Sequence, residues 1–470
     1  MDVWTRCRGW HRRGLSIMDR SVSEDLVAFA LDWKKQGVPD DVSHEAKRLL
    51  LNQLKASVGA TQTETVRILH DSILPSINSG EAAHVLWLGT NTTPANAALV
   101  NGALFEVLDF HDTYIPCFMH ATSAVLPALL AAAEAEGSSG KDAIEALALG
   151  MEVELAVARM LMPTAYYRGY VPAGLTGGVG AAAACSLLYG LDEKQMRNAL
   201  GIAMCTAFGT YVSVGSMTLS YITGATAQSG LQAANLARRD FDAPQTAFEG
   251  DKGMFVTHSD EDPEKMKDVL GSLGSEWRIH GQTYKTVPTE TITHGPIELM
   301  LDILARANDR KVDRMEFAVA PIVKSIVDER MERFGDPSSE LEARFDLCFC
   351  AAAAWQRGQF TLREMREAAY TDADILALRS RIDLVPDENR ETFEGCSVVV
   401  TFDDGSTESA NVDAFLGSPG NRMTDDQLSD LFRRSSAEIL STGAVDGILA
   451  AIWDLESAPN IRDFMSSLTV

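Results

Sequence analysis

Leu108-Asp-Phe-His-Asp-Thr-Tyr-Ile-Pro-Cys-Phe-Met-His-Ala-Thr-Ser-Ala-Val-Leu-Pro127 is the stretch around which the rest of the chain is organised. Asp109 and Asp112 stand within four residues of each other, and His111 and His120 flank a short apolar turn. Thr122 and Ser123 then open a helix whose Leu126, Leu129, Leu130 and Ala133 follow the i, i+3, i+4, i+7 spacing of one buried face. A buried helix start presents free N–H groups and the positive end of the helix dipole, which suits an anionic group. Acid, imidazole and anion-friendly amides therefore meet at one place. The same residues also read as an ordinary capped helix with a surface Asp pair.

The composition narrows the classes. At 470 residues the chain is long enough for two or three domains, and 46% hydrophobic residues exclude a disordered chain. A formal net charge of −25 argues against a nucleic-acid partner, which needs a basic footprint, and makes any anion site depend on local cations. The seven cysteines are scattered and read as reduced, buried thiols. Their spacing supplies neither a zinc knuckle nor a grouped iron–sulfur ligand set, so no metal is expected. No apolar run reaches the roughly 18 residues of a membrane span. A cytoplasmic protein is expected. Met1–Asp19 carries Arg6, Arg8, Arg12 and Arg13 and reads as a disordered extension. It is either an organelle-targeting segment or an over-extended start with Met18 as the initiator, the second being favoured.

From Ser21 the pattern is helical. Ser23 is expected to cap Glu24–Lys35, with Leu26, Phe29, Ala30 and Trp33 on one face. Helices are expected over Ser43–Val58, over Thr65–Leu74 with Pro75 as its stop, over Thr93–Leu108 with Thr93 as cap, and over Lys141–Met162. Ala83–Gly89 reads as an apolar link. Gly177–Tyr189 is so rich in Gly and Ala that it belongs at the centre of a bundle. Asp192 and Gln195 form a capping box for the helix running to Ala207, and Thr223–Arg238 is another helix. After Ile279 the pattern is mixed. Strands are expected at Met315–Pro321 and Cys396–Phe402, with Asp403-Asp404-Gly405 as a hairpin turn into Thr407–Val412. Helices are expected at Thr293–Ala307, Leu341–Gln356, Thr424–Phe432 and Ala444–Trp453.

The Leu108–Pro127 stretch resembles the signature of the MmgE/PrpD family, the 2-methylcitrate dehydratases and cis-aconitate decarboxylases. That signature joins an acidic turn, a spaced His and an Ala/Leu-rich helix, and later segments match in the same order over nearly the whole chain. The resemblance implies a mostly α protein, with a large helical domain from 20–277 and 412–470 and a smaller α+β lid over 278–411. It implies a cofactor-independent enzyme and a homodimer, for which the Ala/Gly-rich helices offer flat surfaces. Asp109, Thr113 and His120 match the family's active-site acid, hydroxyl and histidine. His120 stands one residue further along than is usual in decarboxylases, and Ala121 replaces the usual Pro. Tyr284-Lys285-Thr286-Val287-Pro288 followed by Thr293-His294 resembles the lid segment. It makes Lys285 the cation for a carboxylate or enolate, on the cleft wall opposite Asp109, Thr113 and His120. His294 reads as packing its helix, and Glu290 stands where some members place a pocket histidine.

The departures from the family concern charge. Val171 stands at a usual His, Leu219 at a usual Lys or Arg, Ile222 at a usual His, and Phe349 at a decarboxylase Tyr. Asp112, Arg168, Val171, Leu219, Glu290 and Phe349 are taken as substrate contacts. A tricarboxylate would need several cations that are missing here, since an unpaired buried carboxylate costs several kcal/mol. The expected activity is removal of water or carbon dioxide beside a carboxyl or carbonyl group, on a small-molecule substrate less anionic and more apolar than citrate-like acids. Two alternatives stay open: an isomerase or epimerase on the same framework, and a non-catalytic relative.

Overall fold

The computed structural model describes residues 20–73, 83–308 and 310–469. The readings of Met1–Asp19 and of Pro75 as a helix stop lie outside them. The longer helices and all strands are numbered in chain order. The chain first lays down α1 (Val22–Gln36), α2 (Asp40–Val58) and α3 (Glu64–Ile73). A two-stranded hairpin follows, β1 (Ala83–Val85) with β2 (Thr90–Thr92), where the sequence suggested only a link. Then come α4 (Pro94–Glu106), α5 (Ala121–Glu136), α6 (Gly140–Leu161), α7 (Pro172–Leu188), α8 (Glu193–Cys205) and α9 (Met217–Ala237). Among the described residues, no helix is long and apolar enough to cross a membrane.

Local chemistry sets most of the helix starts. Ser21, not Ser23, caps α1. Its hydroxyl accepts from the Glu24 N–H and its own N–H reaches the Glu24 carboxylate, a capping box that Ser23 lacks the spacing to make. Thr93 caps α4 ahead of Pro94, and Asp192 with Gln195 boxes α8, as the residue types predict. The second helix begins earlier than expected, at Asp40, directly after Pro39.

Tertiary packing overrides the local pattern at α9. It starts at Met217 and runs straight through Gly224. A Cβ on Gly224 would stand 2.1 Å from the Leu99 carbonyl oxygen, so α4 and α9 touch backbone to backbone there. Glycine is kept for that approach rather than as a break. α7 is buried along nearly its whole length and is packed by α5, α6, α8 and α9, which places it at the centre of the bundle.

A second hydrophobic core gathers between Ile292 and Phe402. It is built from α10 (His294–Leu304), β3 (Val312–Val319), α11 (Pro321–Phe334), α12 (Leu347–Arg357), β4 (Ile382–Pro386), β5 (Cys396–Phe402) and β6 (Thr407–Val412). The sheet order is β4-β3-β5-β6, with β3 and β4 parallel and the other pairs antiparallel. The Asp403–Gly405 turn joins β5 to β6 as its residues predict. The sequence reading missed α11 and β4. β4 is short and ends on Pro386, which a central strand would not tolerate. The chain then returns through α13 (Asp425–Ser436) and α14 (Thr442–Trp453), which pack on α2 and rejoin the first core. The fold is thus mostly α, a large helical part carrying a smaller α+β part.

Candidate active site

Where the two parts meet lies a cleft that opens to solvent, with about 800 Å³ of space inside it and at its mouth. Glu106, Asp109, Thr113 and His120 form one wall. The start of α7 and the Tyr211–Leu219 segment form a second. Glu290, Thr291, Ile292, Ile326, Arg330, Phe345 and Phe393 close it from the lid side.

The signature wall is shaped by one backbone feature. α4 ends at Glu106, and Asp109 adopts φ +48°, a conformation that Asp tolerates better than most side chains. The turn buries the Asp109 carboxylate against Lys285, whose ammonium donates to Oδ1 and, at 3.0 Å, to the Asp109 carbonyl. Asp109 Oδ2 has no hydrogen-bond partner among the described residues. Burial alone would raise the pKa of this carboxyl, but the Lys285 charge holds it well below the ordinary carboxylate range.

His120 is the residue before α5. Its Nδ1 lies 2.9 Å from the Asp112 carbonyl, which can only accept, so Nδ1 carries the proton and Nε2 is the basic nitrogen. Burial, reinforced by the nearby Lys285 charge, pushes its pKa down to about 4, so the ring is neutral at pH 7. Its neighbour His111 meets it edge-on with ring centroids 4.1 Å apart, and His111 Nε2 stands 3.5 Å from Asp109 Oδ1. Thr113 Oγ1 is 3.3 Å from His120 Nδ1 and 3.0 Å from Thr291 Oγ1, a hydroxyl bridge to the lid.

Glu106, which the sequence reading passed over, is buried in the same wall. Burial, then the Asp109 charge, raises its pKa to about 8, so it is a neutral acid at pH 7. One signal was available. Glu106, three residues before Asp109, is the only charged residue of the helix it closes. No comparable signal pointed to Tyr166, Tyr211 or Arg330.

Lys285 does not face Asp109 across the cleft, as expected, but lies fully buried behind it and does not line the cavity. The reason is a backbone pairing. Thr113 and Thr283 exchange N–H···O bonds of 3.0 and 2.8 Å, and the Tyr284 N–H donates to the Gly417 carbonyl at 2.7 Å. A Cβ on Gly417 would come within 1.9 Å of the Tyr284 oxygen, so only glycine permits this seam. Lys55 donates to the Lys285 carbonyl at 2.8 Å. Residues 283–285 are therefore clamped beside the signature itself.

Of the expected substrate contacts, Val171, Leu219 and Glu290 line the cavity, whereas Asp112, Arg168 and Phe349 do not. Asp112 accepts from Gln53 at 2.8 Å and from the Thr122 hydroxyl at 2.9 Å. Its carboxyl occupies the start of α5, the place the sequence reading left open for an anionic group, and burial raises its pKa. Arg168 pairs with Asp260 at 2.5 Å near the surface. Phe349 is buried in the lid core, and Ile222 packs against Gly174 and Gly209. Among the described residues, ligand atoms of Asp109, His111 and His120 lie within 4.8 Å of one another, a spacing a metal could use. The Lys285 ammonium already holds the Asp109 oxygen, and a second cation there would be repelled.

Residues 24–266 match the MmgE/PrpD N-terminal domain, and residues 287–456 match the MmgE/PrpD C-terminal domain. This chain belongs to the MmgE/PrpD family. It is similar to human cis-aconitate decarboxylase, with 28% identity over 466 residues covering 94% of this chain and 93% of the human one. Mouse cis-aconitate decarboxylase is 26% identical, covering 96% of this chain and 97% of its own. A cis-aconitate decarboxylase-like protein of Aspergillus oryzae is 25% identical, covering 97% and 98%. As a MmgE/PrpD protein the chain is an enzyme of the lyase class, of the decarboxylase or dehydratase kind. Arg330 in the cavity wall is paired with Glu290, and Lys285 behind the wall is paired with Asp109.

Proposed function

We propose that this MmgE/PrpD enzyme is a cofactor-independent acid–base lyase. It removes water or carbon dioxide beside a carboxyl or carbonyl group, from a substrate less anionic and more apolar than citrate-like acids. The observation that carries this reading is a base and an acid of opposite readiness in one cavity. His120 Nε2 is unprotonated and Glu106 is protonated at the same pH. In dehydration, His120 takes the proton from carbon, and Glu106 protonates the departing hydroxyl, which leaves as water. In decarboxylation, carbon dioxide departs, its bonding electrons stay on carbon, and an acid returns a proton there. The oriented roles are distinct: Asp112 sets the His120 tautomer, and Lys285 keeps Asp109 ionised. A substrate carboxylate would meet the start of α7, where Pro172 has no N–H and the N–H groups of Ala173 and Gly174 have no side-chain cap. Phe118, Val171, Leu219, Ile292 and Phe393 favour an apolar substrate portion by roughly 25 cal/mol per Å² buried. An isomerase or epimerase would begin with the same proton abstraction and is separated by product mass.

The test is a screen of carboxylates and thioesters on purified enzyme in heavy water, reading hydrogen exchange and product mass, with cis-aconitate and 2-methylcitrate as controls. Turnover is expected for a monocarboxylate or thioester. Efficient turnover of either control would sink the altered-substrate reading while leaving the lyase chemistry. The pH profile of kcat/KM carries a second check. His120 must be unprotonated, so activity rises through about pH 4, and Glu106 must be protonated, so activity falls through about pH 8. Glu106→Gln should lower the rate and remove the upper limb. A wild-type upper limb retained in that variant would exclude Glu106 as the acid.

We further propose a cytoplasmic homodimer. The Ala/Gly-rich α7 that suggested a flat dimer face is buried inside the protomer, so the surface proposed instead is the exposed apolar set Phe208, Val212, Met217 and Tyr221. Sedimentation at micromolar concentration should give twice the chain mass, and Val212→Glu should weaken the association. A monomer in the wild type would refute it.

A further inference from the structure

Arg330 is the one arginine among the described residues lining the cavity. It reaches in from α11, largely buried. Its Nη2 donates to Glu290 Oε1 at 2.8 Å and its Nη1 to Glu290 Oε2, a two-pronged pair that engages both Nη groups. Nη2 also lies 3.2 Å from the Tyr211 hydroxyl, and Nη1 lies 3.4 Å from the Phe345 carbonyl. The guanidinium is therefore held in place at the wall facing Asp109, Thr113 and His120. Such a fork is the ordinary partner of a planar carboxylate. Here a carboxylate of the chain itself fills it.

We propose that Glu290 is a specificity-determining residue, a built-in carboxylate that occupies the Arg330 fork a second substrate carboxylate would need, and so restricts the enzyme to substrates with a single ionised carboxyl group. This rests on the reading of the cavity as a lyase site and names its substrate class. The physical argument is one of charge balance. Lys285 is committed to Asp109 and Arg330 to Glu290. A polycarboxylate entering the cavity would bring its further carboxylates, with no cation to pair them, beside two carboxylates already present. One carboxylate can be met by the start of α7, and a second finds no free cation among the described residues lining the cavity. Glu290 thus discriminates by repulsion and by blocking, not by a contact it makes with the preferred substrate.

The experiment uses probes that need not react: tricarballylate, with three carboxylates, and butanoate, with one. Their binding at pH 7 is measured by calorimetry on the full-length wild type, Glu290→Gln, Glu290→His, and the double variant Glu290→Gln with Arg330→Gln. Glu290→Gln keeps the shape but releases the fork. It should bind tricarballylate at least about tenfold more tightly than the wild type, while butanoate changes by less than about threefold. The double variant should lose the gain. Glu290→His, neutral at pH 7, should repeat the gain if the Gln variant fails to fold. Equal tricarballylate binding in wild type and variants, or no binding in any, overturns the proposal. Failure of both variants to fold also overturns it, since the pair would then be a structural tie. Because neither probe must turn over, these results stand apart from whether the lyase reading itself holds.

Discussion

His120→Ala is expected to slow turnover by about 10²- to 10⁴-fold, the range for losing a positioned general base, with the protein still folded. The effect should fall on kcat and kcat/KM together, because the proton is in flight only in the transition state. Hydrogen exchange into the substrate from heavy water should fall with it. Among the described residues His120 holds no ion pair and its shortest hydrogen bond is to the Asp112 carbonyl, so the cost to stability should be small beside the cost to rate. His120→Asn tests the tautomer argument, since an amide can still donate to that carbonyl but supplies no base. It should be as inactive as the Ala variant. Exchange and turnover that persist within about threefold of wild type in both variants would remove His120 from the mechanism.

Lys285→Met should be the most destabilising single change near the site, costing about 3–5 kcal/mol in chemical denaturation at pH 7, the range for breaking a buried ion pair. The cause is the partner left behind. Asp109 is buried, and without the ammonium its carboxylate has only desolvation acting on it. The sign of the pH dependence follows. In the wild type the Asp109 pKa is depressed, so its contribution is present above the unfolded value of about 3.9 and is lost as pH falls through the lower folded value. In the variant the folded pKa is raised, so ionisation opposes folding at neutral pH. The difference between the two proteins should therefore be large at pH 7 and shrink below about pH 4. Adding Asp109→Asn to Lys285→Met removes the stranded charge and should restore part of the loss, while activity stays absent. A Lys285→Met protein as stable as wild type at pH 7 would mean that the pair contributes nothing.

These two residues also show how far the chain could be read without its fold. His120 is legible from its place after an acidic turn and before a helix, whereas its edge-on contact with the His111 ring is set by the tertiary structure. Lys285 was found, but its position was misjudged. A residue 176 positions from Asp109 in sequence is placed by the Thr113–Thr283 and Tyr284–Gly417 backbone pairs, and nothing near Lys285 announces them. Glu106 looked like the last polar residue of an apolar helix, and only burial beside Asp109 makes it an acid that is neutral at pH 7. Phe349 was placed in the cleft by its motif and lies in the lid core, where α12 packs against α10.

By itself, the sequence determined what depends on a few neighbouring residues. The Asp192–Gln195 capping box, the Thr93-Pro94 helix start, the Asp403–Gly405 hairpin and the acidic turn before α5 all rest on hydrogen bonds or dihedral preferences spanning four residues or fewer. Such terms act the same way wherever the segment ends up. The tertiary structure decided which carboxylates keep their charge and which cations remain free. Asp109 and Asp112 are both buried acids three residues apart, yet Lys285 lowers the pKa of the first while burial raises that of the second. Glu290 and Arg330, forty residues apart, find each other only when α11 closes the cavity. Charge state depends on burial and on the distance to other charges, and those distances exist only once segments far apart in the chain have packed.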